Sequence, residues 1–394
     1  MTWILIAVLS GIFCGQFFPL WLVRGFVTFN SIFSNFLSFC IPLIIIGFVA
    51  PAIGEIGKGV GKLLAVTILL SYSATVGAGI LSYFTSVTFF PIFLGSEISA
   101  SEVVSNGESI TPYFTIPMPP LMDIMSALVL SFVLGAGVTV IKSTRKVLFD
   151  IMIEFREIVS RVISKIIVPL LPVYIFGIFM NMAFTGEVAS MLSTFFKIII
   201  IIFVLHIVWL LILYVIGAFF SRGSKNPFKL LWAMMPAYFT ALGTQSSAAT
   251  IPVTLRQTIK MGVDKEIAGF TIPLCATIDL SGSALKIVAC SLALMMTHGM
   301  SFDFPMFLYF IAMMGITLVA APGVPGGAIM AALGLLSSIL GFSDADNALI
   351  IALYITMDSF GTACNVTGDG ALSLIIDRFF SRTKEKESPV PSLS

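Results

Sequence analysis

Stretches of Ile, Leu, Val, Phe and Met run through this chain, broken only by short polar or Gly/Pro-rich punctuation. Near-continuous apolar runs occur at Trp3–Leu22, Phe33–Ile53, Leu63–Phe90, Met122–Ile141, Ile166–Phe184, Met191–Phe220 and Phe304–Leu333. Most reach the ~20 residues that a helix needs to cross a bilayer. The pattern predicts an all-α polytopic membrane protein. The first run has no Lys or Arg before it and no small-residue cleavage site followed by a soluble domain, so it is expected to be a retained span rather than a signal peptide.

The positive charges orient these spans, because Lys and Arg are held on the cytoplasmic side. Lys58 and Lys62 follow the second run, and Lys142, Arg145, Lys146, Arg156, Arg161 and Lys165 follow the fourth. Between them, Pro91–Leu121 carries Glu97, Glu102 and Glu108 but no Lys or Arg, and is expected outside. Arg24, alone after the first run, is the exception. Further on, Arg222, Lys225 and Lys229 precede the segment "LLWAMMPAYFTALGTQSSAATIPVTL", and Arg256, Lys260 and Lys265 follow it. Entered and left from the same side, it is expected to be a re-entrant hairpin tipped by "GTQSSAAT". Thr297–Asp303 and Ser343–Asn347 lack Lys and Arg, so the segment around "APGVPGGAIMAALGLL" is expected to enter from outside, tipped by "PGVPGG". Arg378, Arg382, Lys384 and Lys386 return the C-terminus inside, and the polar tail is expected to be disordered. Two hairpins of opposite sense, each followed by a span carrying polar residues, form an inverted repeat, the usual frame of a secondary transporter with its site at broken helices.

Composition agrees with this reading and excludes other classes. Over 394 residues, 58% are hydrophobic and 10% charged, against about 25% charged in soluble domains; mean hydropathy is +1.07. A formal net charge of +1 gives no pull toward nucleic acid. The five cysteines, Cys14, Cys40, Cys275, Cys290 and Cys364, lie in apolar segments without metal-binding spacing and read as packing residues. His206 and His298 have no second His or Cys placed to share a metal, and read as structural.

Three acidic residues fall deep within spans, Asp279, Asp358 and Asp369, where a charge costs about 2.5 kcal/mol upward and is usually functional and partnered. Asp358, Thr362, Asn365 and Asp369 stand at spacings of four, three and four in "MDSFGTACNVTGDGAL". On a helix they form one stripe over roughly 16 Å of axis. In "PLCATIDLSGSALK", Gly282 between Ser281 and Ser283 suggests an unwound stretch offering carbonyl oxygens, ligands that hard cations prefer. Lys286 follows Asp279 by seven residues, two turns, and is expected to face it, as a structural ion pair or a functional one.

With these residues assembled, the chain resembles the dicarboxylate/amino acid:cation symporter family, the fold of glutamate transporters, over essentially its whole length. The likeness is most specific in "TQSSAATIPVT", "PLCATIDLSGSAL", "GVPGGAIM" and "DSFGTACNVTGD", in that order. The resemblance implies eight transmembrane helices plus two re-entrant hairpins, assembled as a homotrimer working by an elevator mechanism in a cell membrane, here a bacterial or archaeal cytoplasmic membrane. It implies scaffold helices 1–2 over 1–62, helix 3 and the outer loop over 63–121, scaffold helices 4–5 over 122–190, helix 6 over 191–224, a mobile transport core over 225–380 and a disordered tail over 381–394. It also implies a transporter rather than an enzyme, with no cofactor and with sodium as co-substrate.

Carried over residue by residue, Asp358 matches the family aspartate that receives a substrate α-amino group, and Asn365 the residue that holds the α-carboxylate, helped by Ser246 and Ser247. Thr362, Ser283, Val324 and Gly326 complete the implied substrate site. Members that take acidic amino acids present an Arg from positions held here by Gly361 and Gln245. Losing that guanidinium disfavours a second carboxylate and points to a neutral amino acid, with Gly361 opening room for its side chain. Asp369 and Asn365 match one sodium site, while Cys275, Asp279 and Ser281 fall at others, with the acid displaced by two residues. Lys286 stands where the family usually has an uncharged residue, either substituting for a bound cation or meeting a substrate carboxylate. The competing functions are a C4-dicarboxylate or acidic amino acid carrier using Lys286, an ion channel, and an intramembrane hydrolase, for which the hairpin serines have no His in reach.

Overall fold

The computed structural model describes residues 2–56, 62–101, 110–140, 147–186, 188–221, 225–319, 321 and 326–387. All its regular structure is helical. The first half contains α1 (Thr2–Phe17), α2 (Leu20–Ile56), α3 (Lys62–Ser101), α4 (Ile124–Val140), α5 (Val147–Val162), α6 (Val168–Thr185) and α7 (Val188–Phe220). The second contains α8 (Pro227–Ala233), α9 (Met235–Thr244), α10 (Ser247–Lys260), α11 (Lys265–Ile278), α12 (Ser281–Thr297), α13 (Phe304–Val319), α14 (Gly327–Leu340), α15 (Asp344–Thr356) and α16 (Asp358–Glu387). Among the described residues, four helices are long and apolar enough to cross a membrane, or six if two bent pairs each count as one span.

Helix boundaries depart from the apolar runs where backbone chemistry intervenes. The run Trp3–Leu22 splits at Phe18–Pro19, because proline lacks an N–H and keeps the residue before it out of the helical region. α2, by contrast, passes through Pro42 and Pro51 as a helix of 37 residues. α3 likewise carries Pro91 and extends to Ser101, so the acidic outer segment begins later than Pro91. A π-helical turn, Ile163–Ile167, joins α5 to α6. The run Phe304–Leu333 is interrupted between α13 and α14, and α16 continues to Glu387, into the polar tail. Arg24, the exception to the charge rule, lies in α2 with its Nε donating to the Thr111 carbonyl at 2.9 Å and its guanidinium 4.5 Å from the Tyr113 ring centre. It anchors the segment that carries Thr111 and Tyr113.

The helices pack in two groups. α1, α2, α4, α5 and α6 pack on one another, and α9 to α12 pack around α16, with α3 and α7 lying against this second group. In the second half α9 and α10 join at a described turn, α11 and α12 are separated by a short break, and α15 bends into α16, while 322–325, between α13 and α14, lies outside the described residues. α9 and α10 meet at Gln245–Ser246, where Gln245 adopts φ 54° and the Ser246 side chain caps α10 by accepting from Ala249 N at 3.2 Å. α11 breaks from α12 at Asp279–Leu280. α13 packs on α14, whose first turn follows Gly326 in a left-handed conformation. α15 starts in a capping box between Ser343 and Asp346 and meets α16 at Met357 with a bend of 62°.

α12 is the axis of this half: Ser281 to Met296 are all buried. It packs most extensively against α3, which buries a stripe of small residues at Ser71, Ala74, Thr75, Ala78 and Ser82. Ser82 Oγ donates to the Leu285 carbonyl at 2.8 Å. Small side chains allow such close approach, which is how helices associate where lipid removes any hydrophobic drive. Ala78→Leu on this stripe is expected to cost about 1–3 kcal/mol by overpacking and to lower the melting midpoint in detergent, whereas Leu69→Ala, at an exposed position, leaves it nearly unchanged.

Candidate functional site

The site forms where the two broken spans meet the α9–α10 turn and the start of α14. Helix breaks leave backbone N–H and C=O groups without helical partners, and at membrane depth these survive only where protein or a water-filled cavity satisfies them. A small cavity occupies that place, lined by Gln245 and Ser247 from the first tip, Ser283 from α12, Tyr354 from α15, and Asp358, Thr362 and Asn365 from α16. Ala276, Thr277, Leu280, Ala321 and Ala328 complete the wall.

Six of the residues singled out from sequence therefore line one cavity, although they come from segments more than a hundred positions apart. Three others stand beside it. Ser246 caps α10, Gly326 donates its N–H to Asp358 Oδ2 at 3.0 Å, and Gly361 backs Asp358 within α16. Val324 lies outside the described residues. Tyr354 was not anticipated; the one signal for it was a polar-tipped aromatic four positions before Asp358.

Hydrogen bonds preset the cavity's polar wall. Asn365 Oδ1 accepts from Gly282 N at 2.7 Å, and its Nδ2 donates to Ser283 Oγ at 3.3 Å. Tyr354 OH also donates to Ser283 Oγ, at 2.9 Å. With two donors on its oxygen, Ser283 has its own hydroxyl proton left to offer a ligand. Gln245 Nε2 donates to Ser359 Oγ at 3.0 Å, tying the first tip to α16.

Lys286 does not face Asp279. Its Nζ lies 3.2 Å from Asp358 Oδ1 and 3.6 Å from the centre of the Tyr354 ring, and it is fully buried. The reason is steric as well as electrostatic. A Cβ at Gly361 would sit 2.5 Å from both Lys286 Cε and Nζ, so glycine there makes the space that the lysine fills. The room at Gly361 thus belongs to Lys286 rather than to a ligand side chain.

The unwinding expected at Gly282 occurs one step earlier, at Asp279–Leu280. Gly282 is in the first turn of α12, where a Cβ would meet Cys364 Cβ and the Gly361 carbonyl, both at 2.8 Å. Its own carbonyl is 3.0 Å from His206 Nε2, which gives that buried histidine its structural partner. His298 pairs with Asp346 at 2.9 Å. All five cysteines are free.

A second polar cluster lies deeper. Asp279 Oδ2, Ser281 Oγ and both carboxylate oxygens of Asp369 are buried without a protein hydrogen-bond partner. Asp279 Oδ2 and Ser281 Oγ both adjoin Gly368, the residue before Asp369, and the two carboxylates are within electrostatic reach of each other. Two such groups repel unless a cation or proton lies between them. A proton shared between the two carboxylates, or a monovalent cation such as sodium held by these oxygens, would remove that repulsion. Cys275 is buried nearby, its carbonyl accepting from Asp279 N at 2.8 Å and its Sγ 3.7 Å from Ser71 Oγ. Asn365, anticipated in both sites, stands at the cavity with its side chain bound to α12.

Comparison with known proteins gives this architecture a context. The family model described as "Sodium:dicarboxylate symporter family" matches residues 1–379. The "Neutral amino acid transporter B(0)" of Rattus norvegicus is 32% identical over 180 residues, 45% of this chain and 32% of that protein. The "Excitatory amino acid transporter 4" of Mus musculus is 28% identical over 290 residues, 71% of this chain and 51% of that protein. The "Serine/threonine transporter SstT" of Streptococcus agalactiae is 25% identical over 390 residues, 95% of this chain and 94% of that protein. The chain thus spans about a third of the first relative's length and nearly all of the bacterial one's. The family and these relatives are transporters, not enzymes.

The pairing of Lys286 with Asp358 predicts an asymmetric response to mutation. Asp358→Asn leaves a fully buried ammonium without its counter-ion and is expected to cost about 3–5 kcal/mol of stability. The double variant Asp358→Asn/Lys286→Met removes both charges and is expected to recover most of that loss in a thermal or denaturant melt; a double variant as unstable as the single one would show that the pair is not what Asp358 holds in place.

Proposed function

This chain belongs to the sodium:dicarboxylate symporter family, and we propose that within it the protein is a secondary active transporter of a neutral amino acid, coupled to sodium. The observation that carries this reading is the Asp358 carboxylate, which lines a cavity containing no guanidinium. On its cavity side that carboxylate can accept an ammonium group while sharing its charge with Lys286 behind it, and no guanidinium lines the cavity to meet a second substrate carboxylate. Gly361 and Gln245 hold the positions from which acidic-substrate members would present an arginine. The printed names of the relatives, which include a neutral amino acid transporter and a serine/threonine transporter, agree with that choice.

In this reading Asp358 receives the substrate α-ammonium, while Ser283, Asn365 and the N–H groups at the Ser246–Ser247 helix start receive its α-carboxylate. Thr362 and Gln245 face the remaining portion. Sodium binds at Asp279, Ser281 and Asp369, with carbonyl oxygens from the α11–α12 break and Cys275. The tip before α14, held to Asp358 through Gly326, acts as a gate. α8 to α16 move as an elevator against the first-half helices in a homotrimer embedded in the lipid of a bacterial or archaeal cytoplasmic membrane. That location is supported by a bacterial relative spanning nearly the whole chain.

Transport of a C4-dicarboxylate would need Lys286 to meet the extra carboxylate. Lys286 is fully buried behind Asp358 and does not line the cavity, so a dicarboxylate would face Asp358 first.

In proteoliposomes, labelled serine or alanine is expected to accumulate under an inward sodium gradient, and excess succinate is expected not to compete. Uptake indifferent to sodium would overturn the coupling, and competition by succinate would overturn the substrate class.

A further inference from the structure

Lys286 is the one buried Lys or Arg among the described residues, and it holds the carboxylate that the proposed function assigns to the substrate. The contact is built on all sides. The Tyr354 ring lies against the ammonium, the Met357 carbonyl is 3.5 Å from it at the α15–α16 break, and Gly361 leaves the gap it fills. Asp358 faces the cavity on one side and Lys286 on the other. Its second oxygen takes the Gly326 N–H, so the residue that starts α14 is held by the same neutral pair. With nothing bound, the site is already compensated in charge.

An elevator carrier must bring its binding site across the membrane twice per cycle, once loaded and once empty. A substrate ammonium compensates Asp358 on the loaded crossing. On the empty crossing an unpaired carboxylate would have to be buried at a large penalty. We propose that Lys286 is a resident counter-ion, a tethered ammonium that neutralises Asp358 whenever the cavity is empty, so that the unloaded carrier returns without carrying a mobile cation in the opposite direction. The proposal rests on the transport reading above. It assigns Lys286 to the return step and not to substrate recognition, in keeping with its place behind the cavity wall.

The test uses the full-length protein in proteoliposomes and separates two modes, net uptake into vesicles without internal amino acid and exchange against internal unlabelled amino acid. Lys286→Met keeps the side-chain volume and removes the charge. It is expected to lower net uptake by about tenfold or more, because returning empty now buries a lone carboxylate, while exchange stays within about threefold of the wild type. The wild type is expected to show the same net uptake, within about twofold, whether the vesicles contain potassium or N-methylglucamine, since a resident charge makes internal cation unnecessary. Wild-type net uptake by Lys286→Met, or equal loss of both modes in a variant that still melts cooperatively, would overturn the proposal. So would a wild-type requirement for internal potassium, a measurement that decides the matter even if the variant fails to fold. Absence of both modes in the wild type for every amino acid tried would instead overturn the transport reading itself.

Discussion

A carboxylate and an ammonium buried side by side near the middle of a membrane protein set the terms for everything around them. Neither Asp358 nor Lys286 is tolerable alone at that depth, and together they are stable only if their geometry is good and their remaining hydrogen-bonding capacity is met. The structure meets both conditions. Gly361 clears the path for the lysine, Tyr354 receives its ammonium against a ring face, and Gly326 caps the aspartate's other oxygen. The close approach of α12 to α16 follows from the same need. Gly282 brings α12 against Cys364 and Asn365, and the length of α12 is then sealed from solvent against α3.

Two helix breaks divide the electrostatic work. The break at Met357 presents Asp358 to the cavity, where its charge is matched from within the protein. The break at Asp279–Leu280 delivers Asp279 to a different cluster, where it and Asp369 are buried beside Ser281 and no Lys or Arg among the described residues pairs with them. The contrast is informative. At the first cluster the chain supplies its own cation; at the second, carboxylate oxygens lie buried without a protein donor. The two clusters are joined through α16, since Asp358 and Asp369 share that helix.

The apolar runs and the distribution of Lys and Arg made the class of this protein legible, because a segment that cannot face water and a charge that cannot cross a bilayer leave direct marks on composition. The stripe of Asp358, Thr362, Asn365 and Asp369 was legible for a similar reason: helical periodicity is a property of spacing alone, and α16 carries all four. The turn at Gln245–Ser246 was legible from residues whose backbone habits interrupt helices, while 322–325, where the other tip was expected, lies outside the described residues.

Which partner each charge finds was decided only by tertiary structure. Spacing along one segment put Lys286 two turns from Asp279, yet the break at Leu280 removes that relation and the packing of α12 on α16 hands the lysine to Asp358 instead. The sequence alone established that polar residues must gather at broken helices in an apolar chain, since local propensity and the cost of burying charge depend on residue type. It could not establish how they gather, because that depends on the depth at which separate helices cross and on where a missing side chain, at Gly361, leaves space for another.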